Sequence, residues 1–344
     1  MTRTADGARS RAPGDPGGGG DPSAVESLPA WTRALPSRAM KIAIVGTGAM
    51  GSVYAGILGD AGNEVWAVDL WDEHVEAMRT RGLTVEGASG SRTVRVNATS
   101  DAAEAGRCDL VVIATKAGDV DAAAAAVKPL VGPDTVVLPI QNGLGSADRI
   151  AAILGEDQVA IGVVGGFGAS MVGPGHVHHN GWELVRLGER HGPATERMRR
   201  IAKTWADAGF RVQVYDDVDQ LVWEKLVCNV CFSGTCAILE STIGEVLDDA
   251  AAWHVASGCA QEAYDVARAR GITLGFDDPV AYVRAFGEKI PDARPSMLLD
   301  LLAGRPCEID VINGAIPPAA REVGLAARVN ETVTALVKAK SPVS

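Results

Sequence analysis

Aromatic side chains are scarce at 5% of the chain, yet 47% of it is hydrophobic and 22% charged, the balance of an Ala/Gly/Val-rich globular protein and not of a disordered one. Positive charge is in deficit. The 32 Lys and Arg face 43 Asp and Glu for a net charge of −11, which excludes a surface built to neutralise nucleic-acid phosphates. No stretch approaches the roughly 18 consecutive apolar residues of a membrane span, and the run Leu110–Ala114 is stopped by Thr115 and Lys116. A chain that does not cross a membrane is expected. Only six cysteines occur, with no secretory apolar region near Met1, so reduced thiols and a cytoplasmic location are expected instead of a disulfide framework. Cys228, Cys231 and Cys236 have no fourth ligand nearby and read as part of a buried helix, and no metal site is expected there.

What is present organises the 344 residues into a tail and two domains. Residues 1–39, with Pro13-Gly14-Asp15-Pro16 and Gly17–Gly20, carry almost no periodic apolar pattern and read as a disordered tail. Met40 directly precedes the first strand and is a second candidate start. From there short β-rich runs alternate with Ala-rich amphipathic segments: Lys41–Val45, Glu64–Asp69, Leu110–Ala114, Thr135–Ile140 and Val159–Val164 are expected to form one parallel sheet with helices on both faces. Leu83–Glu86 and Thr93–Val96 flank Gly87-Ala88-Ser89-Gly90 as an inserted hairpin. A strand at Trp182–Leu187, a helix near 193–208 and a strand at Arg211–Tyr215 close this domain at the acidic run Asp216, Asp217, Asp219. Beyond it the periodicity is helical, near 217–236, 251–270, 295–303, 308–323 and 329–340. The expected fold is thus α/β: a Rossmann-type doubly wound domain over 40–216, then an all-α domain over 217–340.

Gly46-Thr47-Gly48-Ala49-Met50-Gly51 follows an apolar strand and opens a helix, the context a dinucleotide fingerprint requires. Gly46 permits the turn, Gly48 lets backbone approach a pyrophosphate, and Gly51 lets the helix pack close to the strand. The helix N-terminus then offers N–H groups and partial positive charge. Asp69, at the end of the second strand, is placed to accept hydrogen bonds from ribose hydroxyls and to repel a 2′-phosphate, so the expected cofactor is NAD or NADP, with NAD favoured. Arg79 and Arg81, further along the following helix, read as a solvated face. Lys116 and Gln141-Asn142-Gly143 stand at the carboxyl edges of the next two strands, where cofactors lie in such folds. A surface lysine and an ordinary Asn-Gly turn are the plain readings of the same residues.

In the helical half, Trp223-Glu-Lys225-Leu-Val-Cys-Asn229 puts Lys225 and Asn229 four apart on one helix face. Ser296-Met-Leu-Leu-Asp300 and Glu308-Ile-Asp310-Val-Ile-Asn313-Gly314 again mix polar groups with a core face. With the fingerprint, Thr115-Lys116 and Gln141–Gly143, these motifs in this order resemble the ketopantoate reductase (2-dehydropantoate 2-reductase) family from Met40 to about Ala339.

The resemblance implies NAD(P)H-dependent reduction of a 2-keto acid to a 2-hydroxy acid, as in pantothenate biosynthesis. It makes Lys225 the proton donor and Asn142, Asn229, Ser296 and Glu308 substrate contacts. Asn142 and Lys116 would also touch the cofactor, and a 6-phosphogluconate-dehydrogenase-like fold is implied. Burial of Lys225 would lower its pKa toward working pH, and a carboxylate such as Glu308 would oppose that. Two departures bear on the substrate: Ser233 and Ile243 stand where the family places further pocket asparagines, and Asp69-Leu70 stands where NADP-using relatives carry a basic residue. A small-molecule keto acid is the expected partner, and the helical domain offers a surface for a homodimer. An NAD-dependent dehydrogenase of another hydroxy acid and a non-catalytic dinucleotide-binding protein are the competing readings. His176, His178 and His179 form the only histidine cluster, expected to be a polar strand end without a suitably spaced acidic partner for a metal.

Overall fold

A computed structural model describes residues 39–165, 168–181 and 184–341. The expected tail, apart from Ala39, and the first two residues of the strand expected at Trp182–Leu187 lie outside them. Five strands, β1 (Lys41–Val45), β2 (Glu64–Val68), β5 (Asn97–Thr99), β6 (Leu110–Ile113) and β7 (Val136–Pro139), form a wholly parallel sheet in the order β5-β2-β1-β6-β7. β6 and β7 are buried along their whole length, which is why they read as unbroken apolar runs instead of alternating ones. Helices α1 (Ala49–Asp60), α2 (Asp72–Arg81) and α3 (Val120–Ala126) lie in the connections between its strands, and α4 (Ser146–Leu154) follows β7. The chain winds outward from β1 in both directions, so the strand order reverses between β1 and β6 and leaves a crevice at their carboxyl ends.

The run expected as a fifth parallel strand behaves differently. Val159 makes a single parallel bridge to Val137, after which β8 (Ala160–Val164) peels away and pairs antiparallel with β11 (Leu184–Glu189). β12 (Arg211–Tyr215) lies parallel to the other side of β11, giving a separate three-stranded sheet covered by α5 (Glu196–Asp207). The expected hairpin forms from β3 (Leu83–Gly87) and β4 (Arg92–Val94), and grows into a second sheet with β9 (Gly168–Gly173) and β10 (His176–Gly181). That pairing corrects one expectation. His176 and His178 do meet an acidic side chain, Glu86 of β3, at 3.2 and 3.6 Å, although no group of three metal-ligating side chains occurs among the described residues.

The helical half is α6 (Val218–Leu239), α7 (Ile243–Asp248), α8 (Ala250–Ala269), α9 (Pro279–Gly287), α10 (Ser296–Leu302), α11 (Ile316–Glu322) and α12 (Arg328–Lys340). α6 begins where Asp217 caps the free N–H groups of Asp219 and Gln220. It is long and apolar enough to span a bilayer, yet most of its surface is covered by α8, α10 and α12, as befits the central helix of a core. Two short helices, α7 and α9, were not expected. The helix expected over 308–323 is broken: two 3-10 turns, Ile309–Val311 and Asn313–Ala315, precede α11, whose first turn holds Pro317 and Pro318, and the buried Asn313 side chain bonds Val230 O and Asn330 Oδ1 at 2.8 and 3.0 Å.

Candidate active site

The fingerprint loop leaves β1 at Gly46, whose φ of +86° and close approach to Thr115, 2.7 Å from an ideal Cβ, admit only glycine. Gly46 N is held by Val68 O at 2.9 Å, tying the loop to β2. A Cβ on Gly51 would strike Gly46 O at 2.1 Å, so α1 packs against the loop only without a side chain there. A Cβ on Gly48 would meet nothing within 4 Å. The space in front of Gly48, with a helix N-terminus free of acidic residues in its first turn, fits the pyrophosphate of a dinucleotide. Asp69 follows β2 with its carboxylate fixed from two sides, accepting from Thr47 Oγ1 at 3.3 Å and Trp71 N at 3.0 Å. Arg79 and Arg81 sit at the far end of α2, bonded to the carbonyls of Ala98 and Pro174.

At the carboxyl edges of β6 and β7 the two halves meet. Lys116 Nζ donates to Asp300 Oδ2 of α10 at 2.6 Å, and the Asp300 carboxylate, 6% exposed, also accepts from Arg305 at 3.0 and 3.1 Å. Lys116 therefore spends its charge across the cleft. Glu308 bridges the same gap, accepting from Ala117 N at 3.1 Å and Asn142 Nδ2 at 3.3 Å. The Gln141 amide nitrogen donates to Ile113 O and Thr115 O, so it braces the sheet edge. Gly143, at φ +82°, sits so near Val311 that a Cβ would lie 2.0 Å from Val311 O, and Leu144 N bonds that same oxygen at 2.9 Å. The Lys116–Asp300 pair and the Gly143–Val311 joint had no distinct signal in the sequence, since the two partners of each lie far apart along the chain.

A cavity of about 550 Å³ opens beside this joint. Asn142 lines it from the sheet edge, and Lys225 and Asn229 line it from α6 together with Val222, Trp223 and Leu226. The i, i+4 spacing thus puts both polar side chains on the cavity face of a buried helix. Lys225 Nζ donates to Val164 O at the end of β8, the strand whose departure from the parallel sheet brings it here. Ser296, exposed at the N-terminus of α10, and Glu308 are not among the lining residues. The expected site residues divide accordingly. Lys225, Asn229 and Asn142 converge on one cavity, Glu308 touches Asn142 from behind, and Gly46–Gly51 with Asp69 occupies the crevice at the switch point.

Comparison with known proteins agrees with this layout. Residues 42–192 match the family model for ketopantoate reductase PanE/ApbA, and residues 217–341 match that for its C-terminal part. A 2-dehydropantoate 2-reductase of Nostoc sp. is 32% identical over 297 residues, 83% of this chain and 90% of that one. The chain belongs to the ketopantoate reductase family. The crystal structure of a PanE/ApbA family ketopantoate reductase from Ralstonia eutropha JMP134 is 33% identical, with a TM-score of 0.80 over 87% of this chain and 97% of its own. D-mandelate dehydrogenase in its ternary structure with NADH and anilino(oxo)acetate is 28% identical, with a TM-score of 0.79 over 87% and 97%. Membership makes the chain an oxidoreductase acting on the CH–OH group with a nicotinamide cofactor.

Proposed function

We propose that this enzyme reduces a 2-keto acid to the 2-hydroxy acid, with ketopantoate to pantoate the leading candidate. The observation that carries the reading is the convergence of Lys225, Asn229 and Asn142 on one cavity beside the dinucleotide crevice. Gly46, Thr47, Gly48, Ala49, Met50 and Gly51 hold the cofactor's pyrophosphate, Asp69 its adenosine ribose, and Lys116 and Asn142 its remaining length. Bound there, the nicotinamide supplies the hydride that reduces the keto carbon.

Lys225 then has the work of stabilising and protonating the oxygen on which negative charge develops, a task suited to an ammonium held in a half-buried cavity by a backbone carbonyl. Asn229, one turn on, and Asn142 supply amide donors to the substrate carboxylate or carbonyl, and the Glu308 carboxylate fixes which way the Asn142 amide points. Ser296, exposed at the N-terminus of α10 and off the cavity lining, supplies no substrate contact in this reading. Asp69 excludes a 2′-phosphate by charge, which favours NADH over NADPH.

A second reading, an NAD-dependent dehydrogenase of another hydroxy acid, is favoured by Asp69, by Ser233 and Ile243 in place of pocket asparagines, and by the likeness to D-mandelate dehydrogenase. Both are tested by absorbance at 340 nm with NADH or NADPH and ketopantoate beside a panel of other 2-keto acids. Lys225→Ala is expected to lower kcat by about 10²–10⁴-fold with folding intact. Turnover of another acid but not ketopantoate moves the substrate, and equal turnover by the variant removes Lys225 from the chemistry.

A further inference from the structure

Immediately past Asp69 the chain exposes two large apolar side chains in a row, Leu70 at 86% and Trp71 at 40%. An open tryptophan at this position calls for an account, because burial of so large a ring is strongly favoured. Trp71 is not loose. One face of its indole stacks on the His74 ring, with centroids 5.2 Å apart and planes 14° from parallel. His74 is fully buried and fixed at both nitrogens: Nδ1 accepts from Gly175 N at 2.8 Å, so Nε2 carries the proton toward Ser52 Oγ at 3.3 Å. The Ser52 hydroxyl in turn donates to Thr47 O of the fingerprint loop at 2.6 Å. The Trp71 backbone N–H holds the Asp69 carboxylate. Loop, carboxylate, imidazole and indole therefore form one connected assembly, in which the Trp71 ring is 40% exposed two residues past Asp69.

We infer that Trp71 is the adenine platform of the cofactor site, its ring stacking on the purine while Asp69 takes the unphosphorylated ribose. The inference rests on the dinucleotide reading given above. The geometry suits a planar base: the ring is backed by a second flat ring, and an aromatic already held in place loses less freedom when a base stacks on it. It also sharpens cofactor choice. The adenosine end is bound by an apolar plane and an anionic acceptor, and the basic side chains of α2, Arg79 and Arg81, are about 12–15 Å further along that helix and tied to backbone carbonyls.

The test is isothermal titration of the full-length protein with NADH, ADP-ribose and reduced nicotinamide mononucleotide, which lacks the adenylate. Trp71→Ala is expected to weaken NADH and ADP-ribose by about 5- to 100-fold and to leave the mononucleotide unchanged. Trp71→Phe, which keeps a ring, should retain most of the affinity, whereas Trp71→Leu, which keeps apolar bulk without one, should lose it. Thermal unfolding of each variant identifies any that fails to fold, and the Phe and Leu pair then carries the comparison. Unchanged ADP-ribose affinity in Trp71→Ala, or equal affinity in the Phe and Leu variants, overturns the platform while leaving the cofactor assignment standing. Wild-type protein that binds neither NADH nor ADP-ribose overturns both.

Discussion

Replacing Gly143 by alanine tests whether the joint between the two halves organises the site. The added Cβ would lie 2.0 Å from Val311 O, a full ångström inside the 3.0 Å that real Cβ atoms keep from their neighbours. The backbone at φ +82° adds strain of about 1–2 kcal/mol for a residue with a side chain. Relief of the clash must move the 141–144 loop off Val311, which sacrifices the Leu144 N to Val311 O bond at 2.9 Å, about 0.5–1.5 kcal/mol. The expected loss of stability is thus about 1.5–3.5 kcal/mol. Asn142 rides on the same loop, so a shift of about 1 Å carries its amide off Glu308 and should lower kcat/KM by roughly 10²-fold. Gly145 supplies the control. It has φ +90° but nothing within 4 Å of its Cβ position, so Gly145→Ala should show the strain term in thermal unfolding without the clash. If Gly143→Ala is no less stable than Gly145→Ala and keeps its kcat/KM, the joint does not organise the site.

Three further outcomes are expected. In a double-mutant cycle on Lys116→Met and Asp300→Asn, thermal unfolding should give a coupling of about 0.5–3 kcal/mol, because the 2.6 Å contact joins a buried carboxylate to a cation from the other half, and zero coupling would make the contact incidental. Burial lowers the pKa of both His74 and His179 from the ordinary 6.5, so the unfolded chain takes up these protons first as pH falls. Stability is therefore full above about pH 6.5 and should drop below it, and His74→Gln should flatten part of that acid slope in melting temperatures measured from pH 7.5 down to 5. Asp69→Ser with Leu70→Arg should shift the ratio of kcat/KM for NADPH over NADH upward by about tenfold or more, the worth of one charge-assisted hydrogen bond, and an unchanged ratio would remove Asp69 from cofactor selection.

The Rossmann half was legible because its information is local. Gly46–Gly51 directly after an apolar strand, Asp69 at the end of the next, and apolar runs of four or five residues each report on neighbours in sequence, where periodicity and backbone sterics act. Lys225 and Asn229 were legible for the same reason, since helical spacing alone sets them on one face.

The misread elements share a different cause. Whether Ala160–Val164 stays in the parallel sheet or turns to β11 is a choice between two hydrogen-bonding partners that its own residues satisfy equally. The break of the 308–323 segment has a local cause the periodicity outweighed, Pro317-Pro318 in the first turn of α11, and a distant one, the Asn313 side chain reaching Val230 and Asn330.

By itself, then, the sequence determined most of the element types, the glycine-rich turn between β1 and α1, the place of Asp69 at the end of β2 and the helix face that Lys225 and Asn229 share. Tertiary structure alone decided that Lys116 is held by Asp300, that Glu308 reaches Asn142, and that Gly143 is pressed on Val311. Each of those contacts joins residues more than 160 positions apart, and only the docking of one half on the other brings such groups within hydrogen-bonding distance.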